Sequence, residues 1–535
     1  MESRDSAANR ESKRMKTSDN LERNTRTNWL LTLVSRITGL VRDGAISRIF
    51  GTGVFASAFY FAFQIPNLFR RLFGEGALSA AFLPSYSTLQ EKDPQLAKAL
   101  ATLTISKLFL LLGGIVIVGE LVLWLILSQQ TTPSQSLQLL MVMLPYMPLV
   151  CTVAIFAAML HVHDRFGPPA AAPIILNGLM IGALYGFSQV FDNSLHHLMM
   201  IGVAVVVAGV IQIMWSLHAL RRIGWYTNNT SGARDEMKKM MRRTIPMILA
   251  LGTLQINTLL DGLIASWPTV FGASFFGLEY PLPEGAMGSL SWAQRLYQFP
   301  LGVFGIAVAT AIYPLLAKQA KDAASFAATI HRGLRLVVFV GLPASAGLIL
   351  VRDPLAAAIF QGGNFTSDDA LIVGSILLGY APAVWAYSMI HVLTKAFYAK
   401  DDVMTPVKIA ILVVFLNFIL NITLIWTPLG TSALAWSTSV CAVLQVSILM
   451  VLIRRHIATP VDGNVLRSWG VTSALTLVMG ALVGVVMKTM WLENGVWVDS
   501  VYCLAACVAT GTIVFFVGSY VMKMPELYWF FGRKS

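Results

Sequence analysis

Charged side chains are scarce in this 535-residue chain. Asp, Glu, Lys and Arg make up 12% of it, about half of what a soluble globular protein carries. With 56% hydrophobic residues and a mean hydropathy of +0.67, the deficit excludes an ordinary soluble domain. It describes a chain that crosses a bilayer many times. Cysteine is nearly absent. Cys151, Cys441, Cys503 and Cys507 all sit in apolar runs without disulfide or metal spacing, and read as small core residues.

Acids are outnumbered by bases, 27 to 39, which leaves a net charge of +12. That excess could suggest nucleic acid as a partner. The basic residues, however, gather in short segments between apolar runs, which reads as membrane topology instead. Enzyme signatures are missing too: no paired carboxylates with a His, no phosphate-binding loop, no metal-spaced cluster and no nucleophile elbow. No catalytic residue, cofactor or metal site is expected. His161 and His163 stand beside Asp164 and Arg165 at the end of a span, where a loop role suits them. A cleavable leader is not visible either. The first 26 residues are polar and basic, and read as a disordered cytosolic tail that orients the first span.

What the sequence has in abundance is apolar segments of membrane-crossing length. At about 20 apolar residues per span, fourteen spans are expected, centred near residues 38, 62, 112, 150, 181, 207, 254, 302, 339, 383, 415, 442, 478 and 511. The loops after even-numbered spans are basic, the segment Arg221–Arg243 most of all. Those after odd-numbered spans are nearly free of Lys and Arg, as in Ser128–Ser136, Phe191–His197 and Pro268–Gly285. The positive-inside rule then puts both termini in the cytoplasm.

Charge inside the apolar segments is concentrated in Ser35–Pro84, which carries Arg36, Arg42, Asp43, Arg48, Arg70, Arg71 and Glu75. An Arg or Asp at mid-bilayer costs about 2.5–3.5 kcal/mol even on the lenient insertion scale. Such residues therefore face water or protein. Arg36 and Asp43 share nearly one helical face, with Arg42 about 100° away. That face can hold an anion through guanidinium forks, or pair internally through Arg36 and Asp43. Of the adjacent pair Arg70 and Arg71, one is expected to anchor the span at the interface and one to face inward. Asn67 precedes them in Ile65-Pro-Asn-Leu-Phe-Arg, Arg48 reads as interfacial, and Glu75 balances the cluster.

A related module recurs in spans seven and eight. Asp43-Gly-Ala-Ile-Ser is echoed by Asp261-Gly-Leu-Ile-Ala-Ser, and each module sets an Arg beside a mid-span Pro before a Gly/Ala-rich helix. Six spans separate the two, so the repeat is parallel and implies a substrate site between two halves. Its second arginine is Arg295, alone among Trp292, Tyr297 and Phe299. Asp261 follows Gln255 and Asn257. A buried Asp near amide oxygens can bind Na⁺ or a proton, or be hydrogen-bonded for structure alone. Pro66, Pro246, Pro300 and Pro406 interrupt apolar segments, as bent or unwound helices around a cavity require. The domain boundaries expected are a tail over 1–26, six-helix bundles over 27–222 and 223–456, and helices 13 and 14 with a tail over 457–535.

The runs SRITGLVRDGAISRIFGTG and FYFAFQIPNLFRRLFGEGALSAAFLP closely resemble the start of the MurJ (MviN) family of lipid II flippases, within the multidrug/oligosaccharidyl-lipid/polysaccharide exporter superfamily. RFGPPAAAPIILN, RLYQFPLGVFGIAVATAIYPLLA, IFQGGNFTSDDA and AFYAKDDVMTPVKIAIL extend the resemblance through the chain. It implies an all-α polytopic membrane protein: two pseudo-symmetric six-helix bundles around a central cavity, plus two C-terminal helices forming a lipid-facing groove. The family's cavity arginines fall on Arg36, Arg42, Arg70 and Arg295, its span-one acid on Asp43, and a cation site of some members on Asp261. Ser57, Gln64, Gln294 and Gln298 depart from the pattern, standing where members often carry charge. The implied cargo is lipid II, with membrane lipids and the cell-wall synthesis machinery as further partners. The implied location is the bacterial inner membrane, and the implied driving force is the membrane potential or a Na⁺ or H⁺ gradient. Another polyprenyl-diphosphate oligosaccharide is the alternative cargo. A membrane glycosyltransferase or polymerase is the alternative class, disfavoured by short, acid-poor loops.

Overall fold

The computed structural model describes residues 30–74, 77–188, 190, 193–226, 230–493 and 495–531. The expected N-terminal tail and Glu75 lie outside the described residues. By internal contacts the chain divides into two compact units, Met1–Ile46 with Phe61–Gln255 and Ser47–Tyr60 with Ile256–Ser535. The division falls at 255/256, and the segment Ser47–Tyr60 belongs with the second unit.

Helix α1 (30–50) begins in the first unit, and α2 (Val54–Phe69) begins in the Ser47–Tyr60 segment of the second unit and ends in the first. The other helices that begin in the first unit are α3 (Ala77–Lys92), α4 (Pro94–Gln129), α5 (Gln135–Met143), α6 (Tyr146–Val162), α7 (Gly167–Gly186), α8 (Ser194–Arg222) and α9 (Ala233–Ala265). Those of the second unit are α10 (Trp267–Val270), α11 (Ala286–Pro300), α12 (Ile306–Lys318), α13 (Ala323–Leu350), α14 (Arg352–Phe360), α15 (Ser367–Tyr380), α16 (Val384–Ala399), α17 (Met404–Leu424), α18 (Ser432–Leu452), α19 (Gly463–Met490), α20 (Trp497–Val521) and α21 (Pro525–Phe530). A single antiparallel hairpin, β1 (Ser274–Phe275) with β2 (Leu278–Glu279), stands between α10 and α11 among the described residues. The protein is thus an all-α polytopic membrane protein.

Each of the fourteen expected span centres lies on a helix or helix break. Nine of the described helical segments are long and apolar enough to cross a membrane singly, and the bent pair α5–α6 makes a tenth. Of the others, α2 and α11 end after 16 and 15 residues, where the π-helices begin, and α1 carries Arg36, Arg42, Asp43 and Arg48.

The two modules of the repeat share an unusual element order. In the first, α2 holds Pro66 and gives way to a five-residue π-helix, Arg70–Gly74, before α3 with its internal Pro84. In the second, α11 ends on Pro300, a π-helix covers Leu301–Gly305, and α12 holds Pro314. Proline removes a backbone donor and clashes with the preceding turn, and the widened turn next to it absorbs the extra residue. Pro406, in contrast, interrupts nothing. It lies in the first turn of α17, where the missing N–H has no helical partner to lose.

The second unit is built on large buried side chains. Trp292 is fully enclosed by Tyr60, Phe360 and Phe365, with ring centroids 5.3–5.8 Å away. Tyr297 stacks on Tyr380 at 4.5 Å. The α1–α2 connection is pinned to this core. Asn364 donates its backbone N–H to the Arg48 carbonyl at 2.7 Å, and Ser47 donates to the Phe360 carbonyl at 3.1 Å. Gly363 permits this approach: it has φ +57°, and a side chain there would collide with the Arg48 carbonyl.

Candidate functional site

Two polar clusters inside apolar helices are candidate sites, one in each unit. In the first, Arg42 and Asp43 of α1 are both buried. The Arg42 guanidinium donates to Asp43 Oδ1 from Nη2 at 2.7 Å and from Nε at 3.0 Å. Its Nη1 donates to Asn177 Oδ1 on α7 at 3.0 Å. Asn177 is held in turn, donating from Nδ2 to Thr38 Oγ1 at 3.1 Å and to the Ser35 carbonyl at 3.3 Å. Phe63 of α2 presents its ring face to the same guanidinium, 5.8 Å from centroid to Cζ. A buried cation is tolerated only when paired and hydrogen-bonded, and Arg42 is both.

The remaining arginines of this unit are more open. Arg36 is exposed on α1, one to two turns before Arg42. Arg70 opens the π-helix and is half-buried, its Nε donating to Asn67 Oδ1 at 3.1 Å. Arg71 is exposed beside it. The module therefore holds one arginine rigidly and leaves others accessible, with Asp43 offsetting only part of the positive charge.

The second cluster is an amide cage around Asp261. Asp261 is buried on α9 and accepts from Asn421 Nδ2 at 2.6 Å and from Asn257 Nδ2 at 3.3 Å. Asn417 Nδ2 donates to Asn257 Oδ1 at 2.8 Å, and the Ser437 hydroxyl donates to Asn421 Oδ1. Asn417 and Asn421 lie one turn apart on α17, which puts both amides on the face toward α9. Among the described residues, the buried Asn417 Oδ1 has no hydrogen-bond partner. The carboxylate faces amide N–H donors, with the Asn257 and Asn421 oxygens already engaged, so the cage as it stands suits a proton, and a hard cation only after these amides turn their oxygens inward.

Arg295 is exposed on α11, and its neighbours fix the helix around it. Trp292 and Tyr297 are buried, and Gln294 donates to the Tyr380 hydroxyl at 3.1 Å. Ser57 accepts from the Gly288 backbone N–H at 3.1 Å, tying the start of α2 to α11. Two of the positions that depart from the charged pattern thus hold helices together. Arg48 is exposed with its guanidinium 6.0 Å from the Trp497 ring, as suits an interfacial residue. Asn177, Asn417, Asn421 and Ser437 were not singled out from sequence. Asn177 closes the RFGPPAAAPIILN run, but a lone Asn in an apolar helix gives no hint of its partner.

Helices of membrane-crossing length that bury an ion pair and an amide-caged carboxylate define a polytopic membrane protein with polar sites inside its spans. The family model for the lipid II flippase MurJ matches residues 46–505. A probable lipid II flippase MurJ from Vibrio cholerae is 31% identical over 438 residues, covering 78% of this chain and 80% of the relative. Among solved structures, a lipid II flippase MurJ in an inward closed conformation superposes with a TM-score of 0.75 at 22% identity, covering 95% of this chain and 99% of that one. A multidrug resistance MATE family transporter of the MOP superfamily, in an inward-facing conformation, has the same fold at TM-score 0.63 and 13% identity, over 81% and 98%. The chain belongs to the lipid II flippase MurJ family. It is a transporter and not an enzyme.

Proposed function

We propose that this protein carries lipid II from the cytoplasmic to the outer leaflet of the bacterial inner membrane by alternating access. Membership of the lipid II flippase MurJ family, on a match over residues 46–505, carries this reading. The chemistry of the charged residues supports it. Lipid II joins a long isoprenoid to a disaccharide-peptide through a diphosphate, and guanidinium forks grip phosphate oxygens two at a time. Arg36, Arg42, Arg70 and Arg295 are the proposed diphosphate ligands, with Asp43, Asn67 and Arg71 orienting them. Arg42 is held by Asp43 and Asn177, which fix its plane, while Arg36, Arg70 and Arg295 are the more open.

The Asp261 cage is the proposed coupling site, with Asn257, Asn417 and Asn421 as its amide ligands and Na⁺ or a proton as the ion. The proposed energy source is the membrane potential or an ion gradient: moving one charge across 100 mV releases about 2.3 kcal/mol. Both termini are proposed to lie in the cytoplasm, and the basic loops after even-numbered spans support this. The test is depletion of the protein in its native cell while the leaflet distribution of lipid II is followed. Lipid II should accumulate on the cytoplasmic side; unchanged distribution would remove the reading.

A further inference from the structure

The segment joining α9 to α11 contains the hairpin β1–β2, and its side chains are the reverse of what a loop in water selects. Phe276, at the tip, is 94% exposed, while Leu278 and Phe271 are 61% and 58% exposed. Phe276 also sits at φ +49°, a left-handed conformation that Gly, Asn or Asp adopts far more readily. An apolar ring is therefore held outward at a position unfavourable to it on two counts. Local packing does not account for that placement.

The depth of the segment can be read from the helices beside it. The 21 residues of α17 rise about 31 Å, the thickness of a bilayer's hydrocarbon core. The short turn after α17 therefore lies at an interface. Trp426 of that turn meets Tyr280 at 6.3 Å. Tyr280 stacks on Trp267 at 5.8 Å, and Trp267 touches Phe275 at 5.0 Å, which meets Phe276 at 4.7 Å. A continuous file of rings thus runs from the interface to the exposed tip. Trp267 holds the hairpin itself, donating from Nε1 to the Ser274 carbonyl at 3.2 Å.

We infer that this hairpin is a lipid-seated wedge, with Phe271, Phe276 and Leu278 inserted at the headgroup–acyl boundary of the leaflet it faces. Trp and Tyr concentrate at that boundary because each ring pairs an apolar body with a polar tip. The segment Pro268–Gly285 contains no Lys or Arg and only Glu279 and Glu284, so the insertion is apolar rather than a charge attraction. Three exposed side chains are too few for the roughly 800 Å² per partner of a stable protein interface. They suffice for a bilayer surface, where the rest of the chain already fixes position.

The experiment places a nitroxide on Phe276→Cys, Leu278→Cys and, as a water-exposed reference, Asp368→Cys. Each is made in the full chain with the four buried native cysteines intact, reconstituted in phosphatidylcholine vesicles. Collision with lipid-soluble oxygen should exceed collision with an aqueous nickel complex several-fold at 276 and 278, with the order reversed at 368. Phe276→Gly, which relieves the left-handed strain, should keep the fold and lower the oxygen preference at 278. Nickel access at 276 equal to that at 368 would overturn the inference and favour a missing protein partner. Low access to both reagents would overturn it as well.

Discussion

At the scale of single residues, the two polar clusters behave differently because their chemistry differs. Arg42 donates to Asp43 Oδ1 from both Nε and Nη2 and also reaches Asn177, which only a planar fork can do. Arg42→Lys should therefore fail to complement a strain depleted of the protein, and should lower the melting temperature as well. If lysine at positions 36, 42, 70 and 295 each supports growth at normal expression, charge alone suffices and the fork argument fails. Asn177→Ala should reproduce the Arg42→Lys defect without touching a charge, since leaving a buried donor unpaired costs about 1–3 kcal/mol. Asp261→Asn is the complementary case. The amide replaces the carboxylate at nearly equal volume, so lipid II binding followed by native mass spectrometry should persist. What should change is the dependence of transport on Na⁺, pH or membrane potential. Loss of binding in Asp261→Asn, with binding intact in Arg295→Ala, would reverse the two roles.

At the scale of elements, the helices are held by a few polar anchors at their ends. The last, α21, is six residues long and too short to be stable alone. It is fixed by Glu526, fully buried, which accepts from Arg335 Nε and from the Ser468 hydroxyl, both at 2.6 Å. Trp529 of the same helix lies 4.8 Å from the guanidinium carbons of both Arg332 and Arg335. One short element thus ties α13 to α19. Removing one partner of a buried pair costs about 3–5 kcal/mol. Glu526→Ala should accordingly lower thermal stability sharply, and limited proteolysis should cut first within the segment after α20. An undisturbed melting curve would show that α21 contributes no such tie. Gly363→Ala should also destabilise, through its left-handed φ and its contact with the Arg48 carbonyl.

At the scale of the whole molecule, charge between the spans sets orientation. An impermeant thiol reagent applied to intact cells should label a cysteine at Glu284 and spare one at Ser231, in the basic Arg221–Arg243 segment. Labelling at 231 would sink the fourteen-span topology. The sequence by itself determined the membrane class, the helix positions and the arginines worth attention. Each rests on local quantities: apolar length, the cost of an intramembrane charge, and the spacing of basic loops. The repeat was legible for the same reason, and the shared helix–π-helix–helix order gives it a structural form in each unit. What only the tertiary structure decided was partnership. That Arg42 meets Asn177, 135 residues away, and that Asp261 meets Asn421, 160 residues away, depends on which helices pack together. No periodicity encodes that choice. The π-helices after Pro66 and at Pro300 were likewise hidden, because a proline announces a disturbed helix but not how the backbone absorbs it. Asn417, Asn421 and Ser437 look unremarkable in apolar helices until packing brings them to one carboxylate.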